Sequence, residues 1–140
     1  MSICGIIVSE AQGNVNWEQM KKEGVQFAMI RAGYGMDTID LQFRKNAEGC
    51  NQVGIPCGVY WQSYAYTPEM ARREAQNCIE TIEEYRITYP VCISYEEASV
   101  RYARSRGVSL TGEEIAGIIR AFLTRVEELG YIAMYLGTPF

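Results

Sequence analysis

The sequence predicts an α/β fold of alternating βα units, with five parallel strands and about four helices. Three observations predict it. Short apolar runs rich in β-branched residues recur along the chain, amphipathic segments opened by helix-capping residues follow them, and glycine or proline punctuates the joins. At 140 residues the chain suits a single domain with its own core, assigned to residues 1–140.

Residues 3–8 form the first apolar run, a buried strand that ends at Ser9. Asn14-Val15-Asn16-Trp17-Glu18 supplies a capping candidate and the start of a short helix closed by Gly24. Residues 25–31 repeat the strand pattern, and Gly33-Tyr34-Gly35 is expected to break it before a helix over residues 41–53. After the turn at Gly54-Ile55-Pro56, residues 57–60 form a third strand. Thr67-Pro68-Glu69 then opens a long helix toward Tyr85, with threonine as cap and proline at the first helical position. Residues 90–93 are a fourth strand, residues 110–114 introduce a helix that ends near Gly130, and residues 131–136 are a fifth strand before a short stub. Two architectures fit this alternation: an open, doubly wound, flavodoxin-like sheet with helices on both faces, or part of a (β/α) barrel with helices on one face.

Composition narrows the function. The chain is 48% hydrophobic and 21% charged, as in ordinary globular domains, so neither disorder nor a membrane span is expected. Thirteen basic against seventeen acidic residues give a net charge of −4 with no basic tract, which argues against nucleic acid as a partner. The densest basic cluster, Arg101, Arg104 and Arg106, reads as a solvated helix face. Five cysteines without a CxxC pair, in a chain without histidine, offer no zinc set, and no metal or cofactor is expected. Cys4, Cys57 and Cys92 sit in apolar runs and read as small core residues; reduced thiols suit the cytosol. The N-terminus carries no basic region and no long apolar run, so no signal peptide is expected and the chain is placed in the cytoplasm as expressed. Ser9, Ser63 and Ser94 have no histidine to activate them, and neither a G-x-S-x-G elbow nor a phosphate-binding glycine loop is present.

Several ordered motifs carry a resemblance across almost the whole chain. Gly5-Ile6-Ile7-Val8-Ser9-Glu10-Ala11-Gln12-Gly13, followed by Val15-Asn16-Trp17, resembles the opening G-I-D-V-S-x-[WH]-Q-G-x-I-D-W of glycoside hydrolase family 25 lysozymes. Residues 27–35, FAMIRAGYG, resemble that family's second-strand motif, and residues 54–61, GIPCGVYW, with Ser63-Tyr64-Ala65, its third. Tyr89-Pro90-Val91 leads into Ser94-Tyr95-Glu96, where the family carries a D-x-E pair. The resemblance implies a TIM-like (β/α) barrel and an N-acetylmuramidase that cleaves β-1,4 bonds of bacterial peptidoglycan outside the cell. Such chemistry uses one carboxylic acid to protonate the leaving oxygen and a second carboxylate to stabilise charge at the sugar.

Set beside that pattern, Ile7 stands in place of the first-strand aspartate and Ser94 in place of the aspartate of D-x-E, while Glu96 keeps the position of the general acid. Ala11, Gln62 and Cys92 also depart from the aromatic or histidine residues the family carries there. The family's barrel has eight strands, so five predicted strands amount to a partial, truncated barrel that lacks a further carboxylate near the family's C-terminal end. The expected function is therefore a non-catalytic scaffold, an engineered or decayed fragment whose muramidase pocket is lost. One alternative is residual muramidase activity with Glu96 as general acid, against a structural role for Glu96 as a strand-end carboxylate bound to a backbone amide or to Arg31. The other is a cell-wall glycan-binding module in which Tyr34, Tyr60, Trp61 and Tyr64 form a stacking surface and Arg31 takes an anionic group. An unclosed barrel would expose its strand edges and an interior expected to include Ile3, Ile7, Met29, Val59 and Ile93, which predicts self-association.

Overall fold

The computed structural model describes residues 2–137, so the last residues of the C-terminal stub lie outside the described residues. The strands are β1 (Gly5–Val8), β2 (Phe27–Tyr34), β3 (Thr38–Ile39), β4 (Cys57–Gln62), β5 (Val91–Ser94) and β6 (Ala133–Leu136). The helices are α1 (Trp17–Lys22), α2 (Phe43–Val53), α3 (Pro68–Ile82), α4 (Glu97–Ser105) and α5 (Gly112–Glu128). The five expected strands are present. Beyond the expected strands and helices stand β3, a two-residue strand, and a 3-10 turn over Glu10–Gln12, while α4 covers the stretch where Arg101, Arg104 and Arg106 read as a solvated helix face.

Strand order settles the architecture. The sheet runs β1-β2-β4-β5-β6 with every one of these neighbours parallel, and β3 alone pairs antiparallel with the end of β2. A flavodoxin-like sheet would reverse its strand order at a switch point. Here each right-handed crossover moves one place in the same direction, so the helices accumulate on one face, as in an arc of a (β/α) barrel. Side-chain alternation agrees. Val8, Ala28, Ile30, Ala32, Cys57, Val59, Trp61, Val91 and Ile93 join the buried cluster under the helices. Val59 and Ile93, expected inside the barrel, are thus on its helix-covered side. α3 packs along α5, and α1 along α2.

The opposite, concave face carries Ile7, Phe27, Met29, Arg31, Tyr60, Gln62, Cys92, Ser94 and Met134, whose parity the pairing register fixes. Its N-terminal half is partly covered by the protein's own side chains. Phe27 lies over Gly5, where a Cβ would sit 2.1 Å from the ring, and stacks on Tyr89 with centroids 5.2 Å apart. Its exposed apolar residues concentrate at the two edges, with Ile7 on β1 and Met134 on β6, and Ile3 and Ile132 exposed just ahead of those strands. Among the described residues β1 and β6 each pair on one side only. Cys4, expected in the core, is exposed before β1, whereas Cys57 and Cys92 are buried. Among the described residues, no helix is long and apolar enough to cross a membrane.

Candidate active site

In parallel α/β sheets functional groups gather at the C-terminal ends of the strands, and here that rim is built by four short connections. After β1, Ser9 caps a single 3-10 turn over Glu10–Gln12, and Gln12 Oε1 accepts the Ser9 amide at 2.7 Å, which fixes Glu10 at the rim. β2 carries a register shift between Arg31 and Gly33, and β3 folds back on it so that Asp40 N donates to Ala32 O at 2.9 Å. A Cβ at Gly33 would meet the Thr38 carbonyl oxygen at 2.3 Å and the Trp61 ring at 2.6 Å, so only glycine admits this close fold-back. The turn itself is made at Gly35, with φ 65°.

These connections converge on Arg31. Its Nε donates to Asp40 Oδ2 at 2.8 Å, its Nη2 to Glu10 Oε1 at 2.9 Å and its Nη1 to Gln62 Oε1 at 3.2 Å. Asp40 is fully buried and accepts two further bonds, from the amides of Glu10 and Gln42. Burial works against the guanidinium charge, but Asp40 outweighs it, with Tyr60 and Glu10 adding to the effect, and the pKa of Arg31 rises. The guanidinium also lies over the Tyr34 ring, 4.9 Å from its centroid. Gln62 passes the network on by donating to the Tyr64 hydroxyl at 2.9 Å, and Tyr64 meets Tyr102 of α4 edge-on at 5.5 Å.

Tyr60 pairs in register with Arg31 on one side and Cys92 on the other, at the centre of the face. Burial raises its phenol pKa, opposed by Arg31, so the hydroxyl stays protonated at neutral pH and remains a donor. At the end of β5, Ser94 Oγ donates to Glu96 Oε1 at 3.0 Å, and Ser99 Oγ accepts the Glu96 amide at 3.1 Å. Glu96 is exposed at the start of α4, and Ser94, not Arg31, is its bonded neighbour. Trp61 differs most from expectation. It faces the helices, fully buried, and its Nε1 donates to Gly35 O at 2.7 Å, so it offers no surface to a ligand. The site therefore unites Arg31, Tyr34, Tyr60 and Tyr64 with Glu10, Asp40 and Tyr102, none of which sequence reasoning had singled out. Among the described residues no group of three His, Cys, Asp or Glu side chains is placed to hold a metal ion.

The sequence matches the model of glycosyl hydrolases family 25 over residues 6–140. The chain belongs to this family. Over 56 residues, 40% of this chain, it is 39% identical to lysozyme M1 of Streptomyces globisporus, of which that stretch spans 19%. It is similar in structure to the modular autolysin LytC from Streptococcus pneumoniae, solved with a synthetic peptidoglycan ligand: TM-score 0.82 and 25% identity over 94% of this chain and 31% of that one. A family 25 glycosyl hydrolase from Bacillus anthracis shares the fold with TM-score 0.79 and 23% identity, over 96% of this chain and 59% of that one. The chain thus spans less than two thirds of these relatives. In the structure Ile7 lies one step down the sheet from Arg31, opposite Met29, and Ser94 serves as a hydroxyl donor to Glu96.

Proposed function

We propose that this chain is a family 25 domain that holds cell-wall glycan on its concave rim without cleaving it. The carrying observation is the allotment of carboxylates: of Glu10, Asp40 and Glu96 at the rim, Arg31 engages the first two, and among the described residues only Glu96 of the three has no cationic partner. Glycoside hydrolysis by a carboxylate pair needs one group to deliver a proton and a second to act at the sugar carbon or on water. A carboxylate spent on a guanidinium does neither well, and Ile7 and Ser94 supply no replacement. Tyr34, Tyr60, Tyr64 and Tyr102 remain, rings that suit the flat faces of sugars.

Purified chain incubated with peptidoglycan is expected to release no reducing ends above a blank while sedimenting with intact walls. Tyr60→Ala combined with Tyr64→Ala should weaken that binding about tenfold, the equivalent of roughly 1.4 kcal/mol. Release of reducing ends abolished by Glu96→Gln would overturn the proposal in favour of residual muramidase activity. That second reading draws on the exposure of Glu96 and on the Ser94 hydroxyl directed at it.

We also propose that this chain, taken by itself, self-associates through the edges of β1 and β6, each paired on one side only among the described residues. Because all long strands are parallel, a two-fold axis along the barrel axis would set β6 of each copy beside β1 of the other and cover both edges at once. Light scattering at high micromolar concentration is expected to give the mass of a dimer. Ile7→Lys with Met134→Lys should return it to the monomer with helix content unchanged. A monodisperse monomer for the unchanged chain would defeat this proposal.

A further inference from the structure

The buried stripe of α3 is Ala71, Ala75, Cys78, Ile79 and Ile82, and a carboxylate stands within it. Glu74 is only 1% exposed. Among the described residues no Lys or Arg forms an ion pair with it; its partners all lie in the connection that leaves β4. Its Oε1 accepts from Ser63 Oγ at 2.5 Å and its Oε2 from Tyr64 N at 3.0 Å. Ser63 Oγ in turn accepts the Ala65 amide at 3.1 Å.

From this turn the bonds continue to the next strand end. Ser63 N donates to Ser94 O at 2.9 Å, and Ser63 O accepts from Ser99 Oγ at 2.7 Å, the same oxygen that accepts the Glu96 amide. Ala65 O accepts from Tyr95 Oη at 2.7 Å. A carboxylate behind the sheet thus anchors the two connections that present Tyr64 and Glu96 on its front.

We infer that Glu74 is a positioning residue: it fixes the turn at Ser63, Tyr64 and Ala65, and through Ser63 and Ser99 the start of α4, so that Tyr64 and Glu96 form one rigid rim. The use of that rim for glycan rests on the function proposed above; the positioning itself does not. A buried acceptor for a serine hydroxyl and a backbone amide is costly to remove, because both donors then lose their partner in a dry interior. The hold also depends on protonation. Burial raises the Glu74 pKa to about 7, against the bonds from Ser63 and Tyr64 that favour the ionised form. The titratable groups that sense it are Cys78 on its own helix and Tyr95 just after β5, both raised chiefly by their own burial, so neither offers a compensating cation. The ionised carboxylate is the stronger acceptor for Tyr64 N and the more strained occupant of the site.

Amide resonances measured on the whole chain test this without any ligand. The Tyr64 and Glu96 amides are expected to titrate together with a midpoint near 7 in the unchanged protein, and Glu74→Gln, which keeps an acceptor and a donor in place, should abolish that titration. Glu74→Leu should speed hydrogen exchange at Tyr64, Ala65 and Glu96 by about tenfold or more while α2 keeps its protection. Rim amides independent of pH between about 5 and 9, or unchanged exchange in a folded Glu74→Leu protein, would overturn the inference. If walls fail to bind the unchanged chain while the amides behave as stated, the function proposed above falls and the positioning role stands. Where walls do bind, Glu74→Leu should weaken binding with Tyr64 itself intact.

Discussion

Trp61→Ala is expected to destabilise the protein by about 4 kcal/mol, the cost of emptying a large aromatic site in a close-packed core. Trp61 is among the largest fully buried side chains, and its ring lies against the backbone of Gly33 where β3 folds over β2. Its indole N–H also satisfies Gly35 O at the turn. Removing it opens a cavity and leaves that carbonyl without its donor, which adds about 1 kcal/mol. For a chain of this size the midpoint of thermal unfolding should fall by roughly 10 °C or more. Trp61→Phe restores most of the volume and loses the bond, so it should cost distinctly less. Urea unfolding followed by far-UV circular dichroism gives both values. A Trp61→Ala protein that keeps its stability but loses wall binding would return Trp61 to the stacking surface where sequence reasoning had put it.

That misplacement shows where the sequence is legible and where it is not. Helix boundaries carry local chemistry and can be read: Thr67 Oγ1 accepts the Met70 amide at 3.1 Å, and Thr111 and Glu114 form the reciprocal box their spacing suggests. Strand faces depend on a single choice of parity. Cys57, Val59 and Trp61 share one face, so placing Val59 inside the barrel while placing Trp61 with Tyr60 on the cleft mixed two faces of β4. Gly33-Tyr34-Gly35 reads as a strand break, but only Gly35 turns the chain; Gly33 is glycine because another strand crosses over it. Arg31 is legible from its position at a strand end and Glu96 from the place of the D-x-E pair in the resemblance, whereas the bond from Glu10 to Asp40 spans 30 residues and has no local signature. Glu74 had one, since it lies on the stripe of Ala71, Cys78 and Ile82, where a charged residue breaks the pattern. The bounds of α4 had no signature beyond the basic helix face of Arg101 and Arg104, because its buried face within the chain is small, Ser99 and Ala103.

Asp40→Ala should have a cost similar to that of Trp61→Ala for a different reason. Two carboxylates bind the same guanidinium at nearly equal distance, 2.8 Å for Asp40 and 2.9 Å for Glu10, yet their surroundings differ. The Asp40 side chain has no exposure and the Glu10 side chain 28%. An ion pair open to water contributes about 1 kcal/mol or less, because solvent and salt screen it and either partner can be hydrated alone. Removing one member of a buried pair costs about 3–5 kcal/mol, and although Arg31 keeps Glu10 and Gln62, its mostly buried Nε loses the fully buried counter-charge. With Asp40 gone, Arg31 Nε, the Glu10 amide and the Gln42 amide all lose their acceptor, and the Glu10 turn, β3 and the start of α2 lose the atom that joins them. Glu10→Ala should therefore cost less than about 1 kcal/mol and Asp40→Ala about 3–5 kcal/mol by urea unfolding at neutral pH. Added salt should shrink the first value and leave the second nearly unchanged. Equal costs for the two variants would mean that Arg31, and not the buried Asp40, organises the rim.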